Sequence, residues 1–248
     1  SRELYIQMSE QVDIAKEKFG KILEEQLARV ERLKKGDDWV DYLKLKKILI
    51  GVCWGDGIGE YISKDSETVL RHILKAEVSS GRVEFRTIAG LTIENRVKHM
   101  KPIPDDVLKE LKDCHVILKG PTTTPQAGDP WPNIESANVA MRRELDLFAN
   151  VRPYAMPKEG INWIFFRENT EGEYVLGSKG FDVNADISVD FKVTTEQGSD
   201  RIIRMAFDYA KNNKLNNVAV VTKSNVVKTT DGRFSRVAKR IAKDYAGI

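Results

Sequence analysis

The sequence predicts an α/β protein, and three observations favour that class. Short apolar segments typical of buried strands recur along the chain, and stretches with helical periodicity follow them, as in a sheet covered by helices. Two of these segments, Lys47–Trp54 and Cys114–Lys119, run directly into turns that contain glycine. Hydrophobic residues make up 41% of the 248 residues and charged residues 31%, which is typical of a globular protein with a real core.

The composition argues against several classes of partner. The net charge is only +3 and basic residues are scattered among acidic ones, so we expect neither a nucleic-acid partner nor a membrane partner. No apolar run approaches the length of a membrane span, and the charged N-terminal segment does not resemble a signal peptide. Cys53 and Cys114 both lie in apolar, strand-like runs, which favours two buried, reduced thiols in a cytoplasmic protein.

Residues 3–34 are predicted to form one long amphipathic helix that Gly36 ends. The prediction rests on apolar residues that recur at helical spacing: Val12, Ala15, Phe19, Ile22, Leu23, Leu27, Val30 and Leu33. Glu17 and Lys21 form one of several oppositely charged pairs four residues apart in the favourable order. Two roles stay open for this helix: packing on its own domain, which the imperfect apolar stripe favours, or contact with another subunit.

The first predicted strand, Lys47–Trp54, leads into the turn GDGIG and a helix through about Ala76. The three glycines permit a tight strand-to-helix turn. Glu60 stands where a final glycine would complete GxGxxG, so this turn is not the dinucleotide-binding fingerprint. The elements predicted next are a strand at Val83–Ile88, a helix from Pro104 to about Lys112 and a strand at Cys114–Lys119.

Three arginines, Arg142, Arg152 and Arg167, fall in one window between Lys119 and Tyr174. Any one of them alone would be an ordinary surface residue. Guanidinium groups bind carboxylates through paired, charge-assisted hydrogen bonds, so three together suit a small substrate with several carboxylates. Arg152 follows the run FANV and Arg167 the run INWIFF. Both runs have the composition of buried strands, which predicts that these arginines lie at strand ends and point into a cleft.

Ser136 begins a predicted helix that ends near Asp146, and its hydroxyl can cap that helix. Asn138 and Arg142 are four residues apart on the helix and therefore face the same way, so both can touch one ligand. The remaining predicted elements are strands at Phe148–Tyr154 and Ile161–Glu168, more polar strands at Gly172–Leu176 and Asp186–Thr195, a helix at Ser199–Asn212, a strand at Val218–Thr222 and a helix from about Gly232. Lys223 would then follow a strand, where open α/β sheets have their sites; a solvated turn residue is the plain alternative.

The segments KGPTTTP, SANVAMRRELDLFANVRP and RENTEGEY together resemble the isocitrate and isopropylmalate dehydrogenases. Those enzymes oxidatively decarboxylate 2-hydroxy acids with NAD or NADP and a divalent metal. The resemblance runs from about Ile48 to the end of the chain and implies two α/β domains with a central cleft and a clasp, the large domain being incomplete. It places the N-terminal part of the large domain at 47–147 and a small domain at 148–248 with the clasp at about 172–195. The helical extension expected at 1–46 has no counterpart in the family pattern, so the resemblance implies nothing about its role.

The resemblance also implies a role for each site residue. Tyr174 would be the acid that reprotonates the enol left after carbon dioxide departs, and Lys223, from the partner subunit, would help to remove the hydroxyl proton. Thr123 would approach the nicotinamide end of NAD or NADP. The residues that would bind the substrate carboxylates are Ser136, Asn138, Arg142, Arg152 and Arg167. A clasp exchanged between subunits would make a homodimer with shared active sites.

No aspartate of this chain matches the aspartates with which the family binds its divalent metal. We therefore expect the ligands of Mg²⁺ or Mn²⁺ beyond Ile248 or in a partner subunit, and we expect this chain to be either an N-terminal fragment or unable to turn over unaided. Two further departures from the family pattern are Glu60-Tyr61 after GDGIG, in place of Pro-Glu, and a longer loop at Gln126–Glu135.

The motifs SAN and RENTEGEY look most like the NAD-type isocitrate dehydrogenases of the tricarboxylic acid cycle, so isocitrate is the expected substrate. FANVRP also occurs in isopropylmalate and homoisocitrate members, which keeps both substrates as alternatives. A non-catalytic regulatory subunit that keeps the carboxylate site is a further alternative. The presence of both Tyr174 and Lys223 argues against it, because binding alone needs neither.

Overall fold

A computed structural model of the chain describes residues 2–35, 40–126, 128–173, 176 and 179–248. Its contacts divide the chain into two compact units, here named the middle unit (38–146) and the split unit (1–37 with 147–248). The helices are α1 (Arg2–Lys35), α2 (Gly59–Ile73), α3 (Lys75–Ser79), α4 (Ile93–His99), α5 (Asp105–Asp113), α6 (Ala137–Glu144), α7 (Glu196–Asn212) and α8 (Thr230–Ile241). The strands are β1 (Ile48–Cys53), β2 (Val83–Thr87), β3 (Val116–Lys119), β4 (Ala149–Met156), β5 (Ile161–Glu168), β6 (Phe181–Asn184) and β7 (Ile187–Val189).

The middle unit is built around a parallel three-stranded sheet of order β2-β1-β3. Its strands match the predicted ones to within two residues at each end, which confirms the α/β class. Every residue of β1 after Ile48 is buried, as expected for the central strand of a parallel sheet. The core beside the sheet is formed by Cys53, Ile88, Leu91, Ile103, Val107, Leu111, Ala137, Ala140 and Met141.

Two glycine turns meet where β1 and β3 end. Gly55 has a φ of +82°, and a Cβ at this position would collide with the carbonyl oxygen of Pro121. A Cβ on Gly120 would collide in the same way with the carbonyl oxygen of Trp54. The Asp56 amide donates a 2.8 Å hydrogen bond to the Pro121 carbonyl. Gly55 and Gly120 therefore allow the two turns to approach closely, which gives Gly55 of GDGIG a structural role without a dinucleotide fingerprint.

The core of the split unit lies between α7 and α8. The buried side chains there are Ile202, Ile203, Phe207, Val237, Ala238 and Ile241. β4 and β5 form an antiparallel pair from Ala149↔Glu168 to Met156↔Ile161. One face of this pair packs on α7, where the rings of Phe166 and Tyr209 lie 5.3 Å apart.

α1 confirms the predicted N-terminal helix to within one residue at each described end and lies on the split unit, where it contacts β6 and α7. Ile22 is buried, and the ring of Phe19 stacks on Phe191 with centroids 5.4 Å apart. Other apolar residues of the helix face solvent, with Leu27 67% exposed. Gly36, the predicted stop, lies outside the described residues. None of the helices in the described ranges combines the length and apolarity needed to cross a bilayer.

The strand predicted at Val218–Thr222 is wrong. These five residues are described and form no strand, and Val221 is 87% exposed. An apolar extended segment becomes a strand only when a neighbouring strand offers hydrogen-bonding partners. None of the described strands pairs with this segment.

The more polar strands predicted at Gly172–Leu176 and Asp186–Thr195 are wrong in extent. A single bridge, Gly172↔Val193, forms between their described residues, and the hairpin of β6 and β7 lies beside it. The side chain of Asn184 accepts a 2.9 Å hydrogen bond from the Asp186 amide, which favours a turn at the start of the second predicted strand. Residues 174 and 175 lie outside the described part of the chain.

β4 and β5 are not the buried strands that FANV and INWIFF suggested. Within the described sheets they pair only with each other, and Trp163 and Phe165 on the face away from α7 are 58% and 48% exposed. Arg152 consequently lies in the middle of β4 rather than at the end of a buried strand, while Arg167 is the penultimate residue of β5. FANV and INWIFF are apolar because one face of the β4–β5 pair packs on α7, while the other face is exposed.

Candidate active site

The loop KGPTTTP is held in place by a carboxylate and a guanidinium that bond to the same residue. The Asp56 carboxylate accepts hydrogen bonds from the amide of Thr123 at 2.7 Å and from the amide of Ile93 at 2.8 Å. Arg96 donates from Nη1 to the Thr123 carbonyl at 2.8 Å. Both backbone hydrogen-bonding groups of Thr123 are therefore occupied by the protein, while its side chain is half-buried. Such a residue is rigidly presented, as a contact to a cofactor requires.

Arg96 also joins this loop to the start of α6. Its side chain is fully buried, and it donates to the Glu135 carbonyl at 3.2 Å and to the Pro102 carbonyl at 2.9 Å. Burial lowers the pKa of Arg96, and the nearby Asp56 carboxylate opposes that shift. An arginine stays charged under such conditions. One buried cation thus fixes the Thr123 loop beside the residue that precedes Ser136.

Ser136 does not cap α6, so the capping prediction is wrong. It occupies the N-cap position, but its side chain makes no capping hydrogen bond. The bond from Arg96 to the Glu135 carbonyl anchors the helix start instead. Asn138 and Arg142 lie on α6 at the predicted spacing of one turn, the first exposed and the second half-buried. The arrangement leaves the hydroxyl, amide and guanidinium groups available for a polar ligand.

Lys119 is a further cation beside this group that sequence reasoning did not single out. Its Nζ donates to the Gly120 carbonyl at 2.8 Å and to the Thr122 hydroxyl at 3.1 Å. Burial is the main cause that lowers the pKa of Lys119; the positive charges of Arg96 and Arg142 also lower it, whereas Cys53 and the Asp56 carboxylate oppose the shift. Cations that repel one another in a partly desolvated place suit an anion between them. The available signal was its position at the carboxyl end of a parallel strand.

The split unit brings Arg152 and Arg167 together. The register pairs Arg167 with Asn150 and Arg152 with Phe165, so both arginines project from one face of the β4–β5 pair at diagonal positions. Such positions lie about 7–8 Å apart, within reach of one small ligand for long side chains. Arg152 is exposed, and its Nε donates to Asn150 Oδ1 at 2.8 Å.

Tyr174 lies outside the described residues, but its neighbour Glu173 is described. Lys192 Nζ lies 3.3 Å from Glu173 Oε1 and 2.7 Å from Asp231 Oδ1. Asp231 in turn accepts a 2.8 Å hydrogen bond from the backbone amide of Lys223. Lys192 therefore links the residue before Tyr174 to the segment of Lys223. Lys223 itself is exposed and follows no strand, so the strand-end position predicted for it is wrong.

Replacing Lys192 by methionine is expected to lower the free energy of unfolding by about 1–2 kcal/mol at neutral pH. The hydrogen bond from Lys192 is the main cause that lowers the pKa of Asp231. A carboxylate with a lowered folded-state pKa contributes stability above its unfolded pKa of about 3.9, and the contribution is lost as the pH falls. Denaturant unfolding of the variant and of Lys21→Met, which removes an exposed pair, measures the effect. An equal loss at pH 7 and pH 3 would contradict this reasoning.

A divalent metal is not accounted for by the residues described. Within the described ranges, no group of three or more His, Cys, Asp or Glu side chains is arranged to hold a metal ion. The carboxylates near the candidate residues are occupied: Asp56 bonds to two amides, and Asp231 to Lys192 and Lys223. These residues do not fit the ligand set that Mg²⁺ prefers.

Comparison with known proteins identifies the family. Residues 49–248 match the family model described as isocitrate/isopropylmalate dehydrogenase. Subunit 2 of the mitochondrial NAD isocitrate dehydrogenase of Schizosaccharomyces pombe is 35% identical over 202 residues, covering 78% of this chain and 49% of the relative. The mitochondrial NAD isocitrate dehydrogenase regulatory subunit 3 of Arabidopsis thaliana is 34% identical over 200 residues, covering 78% of this chain and 50% of the relative.

The fold agrees with solved structures of the same group. The crystal structure of isocitrate dehydrogenase from Methylococcus capsulatus superposes with a TM-score of 0.64 at 33% identity, covering 81% of this chain and 58% of that one. The chain spans about half the length of the two curated relatives named above. The match of 200 residues, together with a parallel sheet that ends in the motif KGPTTTP, shows that the chain belongs to the isocitrate/isopropylmalate dehydrogenase family.

Proposed function

We propose that the protein oxidatively decarboxylates isocitrate to 2-oxoglutarate with NAD or NADP and Mg²⁺ or Mn²⁺. The observation that carries the proposal is the group on the middle unit, in which Asn138 and the half-buried Arg142 lie one turn apart on α6 and the charge of Arg142 is one of the causes that lower the pKa of the half-buried Lys119. Arg142 shares α6 with Asn138, and Ser136 precedes that helix. Guanidinium and ammonium groups that share a small space favour a ligand with more than one carboxylate.

The proposed roles follow from the chemistry of each side chain. Arg142, with Ser136 and Asn138, binds substrate carboxylates on the middle unit, and Arg152 and Arg167 do so on the split unit. Thr123 would lie near the nicotinamide end of NAD or NADP, and the cofactor would supply the hydride acceptor for the carbon that bears the hydroxyl.

Proton transfer is assigned to the two remaining residues. Lys223, contributed by the partner subunit, helps to remove the hydroxyl proton. Tyr174 donates a proton to the enol carbon after carbon dioxide has left. Lys223 thus acts as a base at the start of the reaction, and Tyr174 acts as an acid at its end.

The names of the family and of its members support alternatives to isocitrate as the substrate and to a catalytic role. The family description includes isopropylmalate dehydrogenases, and a relative from Methanocaldococcus jannaschii, 31% identical over 207 residues, is named homoisocitrate dehydrogenase. The Arabidopsis relative is named a regulatory subunit, which favours a second candidate function: binding the tricarboxylate without turning it over. We also propose a homodimer with shared active sites in the cytoplasm, although both relatives named above are called mitochondrial.

The experiment is an assay of the full-length protein with isocitrate, 3-isopropylmalate and homoisocitrate, each with NAD or NADP and with Mg²⁺ or Mn²⁺. We expect reduction of the nicotinamide with isocitrate. Tyr174→Phe and Lys223→Met should each lower kcat about a hundredfold, because each removes a proton-transfer group. Tight isocitrate binding without turnover would favour the regulatory subunit. Neither binding nor turnover with any of the three acids would contradict the proposal.

A further inference from the structure

Two ion pairs from α1 bracket the segment that carries Tyr174. Arg29 Nη1 lies 2.9 Å from Glu171 Oε1, three residues before the tyrosine. Glu25, one turn earlier on α1, lies 3.3 Å from Lys179 Nζ, five residues after it. Because Glu25 and Arg29 are four residues apart, they project from the same face of the helix. α1 therefore contacts the chain on both sides of the tyrosine.

The Arg29–Glu171 pair differs from the exposed pairs within α1 in its burial. Its side chains are 13% and 4% exposed, whereas both partners of the Lys21–Glu17 pair are 69% exposed. The Glu171 carboxylate also accepts hydrogen bonds from the amide and the hydroxyl of Thr195. A buried carboxylate that loses its cation is strongly destabilised, so the helix and the segment depend on each other here.

The contacts of Arg29 extend to the end of β5. Its Nη2 donates to the Thr170 hydroxyl at 3.3 Å, and that hydroxyl lies 2.6 Å from Oε1 of Glu168. Glu168 is the last residue of β5 and follows Arg167 directly. Thr170 and Glu171 are thus tied to α1 through one guanidinium group, while Arg201 Nη2 of α7 donates to the same Thr170 hydroxyl at 2.8 Å.

We propose that α1 positions the active site, with Arg29 as the positioning residue that holds Thr170 and Glu171, and with them the end of β5 that carries Arg167, in its binding geometry. The effect on substrate rests on the proposed function, because only then do Arg167 and Tyr174 act on a ligand. The docking of α1 rests on the contacts alone. Arg29 acts through Glu171 and Thr170, and Glu25 acts through Lys179.

Hydrogen exchange at two amides reports on the docking directly. The Gly172 amide donates to the Val193 carbonyl at 2.7 Å, and the Thr195 amide donates to the Glu171 carboxylate at 2.8 Å. Arg29→Met should speed exchange at both amides about tenfold while leaving the amides of α8 unchanged. Arg32→Met, an exposed position on the same helix, should change exchange by less than about twofold, and Arg29→Lys should restore part of the protection.

A double variant separates positioning from general stability. Arg29→Met alone leaves Glu171 as a buried, unpaired charge, whereas Arg29→Met with Glu171→Gln removes both charges. We expect the double variant to recover the melting temperature of the unaltered protein while exchange at Gly172 stays fast. If the double variant recovered both the melting temperature and the slow exchange at Gly172, the proposal would be overturned, since Arg29 would then serve only to neutralise Glu171.

Isocitrate binding to the full-length protein, measured by calorimetry, tests the effect on the site. Arg29→Met should weaken binding about tenfold, Arg29→Lys less, and Arg32→Met not at all. Unchanged exchange at Gly172 in Arg29→Met, or fast exchange with unchanged binding, would overturn the positioning role. A protein that binds no isocitrate even when unaltered would overturn the proposed function and the effect on substrate, while the exchange result would still decide whether α1 docks.

Discussion

Replacing Arg142 by alanine is expected to weaken isocitrate binding to the full-length protein by about 4 kcal/mol, roughly a thousandfold in Kd. Arg142 is half-buried on α6, and its charge contributes to the lowered pKa of Lys119. A ligand carboxylate between these cations would gain charge-assisted hydrogen bonds in a partly desolvated place, where they are strongest. Alanine removes the fork of donors and leaves Lys119 without the neighbouring guanidinium of Arg142. Titration calorimetry with isocitrate measures the loss.

Arg143 provides a matched control on the same helix. It is the next residue along α6, is exposed, and pairs with Glu135 at 2.6 Å and with Glu144 at 3.2 Å. Because its guanidinium is already occupied by carboxylates of the protein, Arg143→Ala should change the Kd by less than about threefold. An equal loss in both variants would mean that net charge, rather than a defined contact, attracts the ligand. No loss in Arg142→Ala would remove that residue from the proposed site.

Elements whose signals are local were predictable from the sequence. β1 and β3 combine an apolar run with a glycine turn, and α1 combines helical spacing with paired charges, so a short window of sequence was enough for each prediction. Val218–Thr222 has the same local signal as β3 but no neighbouring strand in the described sheets. Pairing is a property of two segments, which the composition of one segment does not reveal.

In the candidate site, too, features set by local sequence were predictable, and features set by contacts between distant segments were not. That Asn138 and Arg142 share a helix follows from their spacing. That Arg152 and Arg167 share a face depends on the register Asn150↔Arg167, which the turn between the strands sets. Lys119 and Arg96 were missed for different reasons. Lys119 stood at a recognisable strand end, whereas Arg96 lies in the unremarkable helix IENRVKH and bonds to backbone far away in the sequence.

Arg96→Met is expected to lower the free energy of unfolding of the middle unit by about 3–5 kcal/mol, a large part of the stability of such a domain. The guanidinium is fully buried and donates to three carbonyls, those of Pro102, Thr123 and Glu135. Methionine fills similar space but leaves these carbonyls without donors and the Asp56 carboxylate without its nearby positive charge. Denaturant unfolding, with hydrogen exchange at the amides of β1 and β3, measures the loss.

Arg86→Met is the control for stability, since Arg86 is 40% exposed and lies 3.7 Å from Asp113, a pair expected to contribute about 0–1 kcal/mol to the free energy of unfolding.

Arg96→Met should also weaken isocitrate binding, because the Thr123 loop and the start of α6 lose their common anchor. Arg142→Ala should lower binding while stability is kept. Weakened binding by Arg96→Met with full stability would contradict the structural role and would assign Arg96 to the ligand. Loss of both together follows only if one buried cation builds the site by joining two segments that the sequence separates.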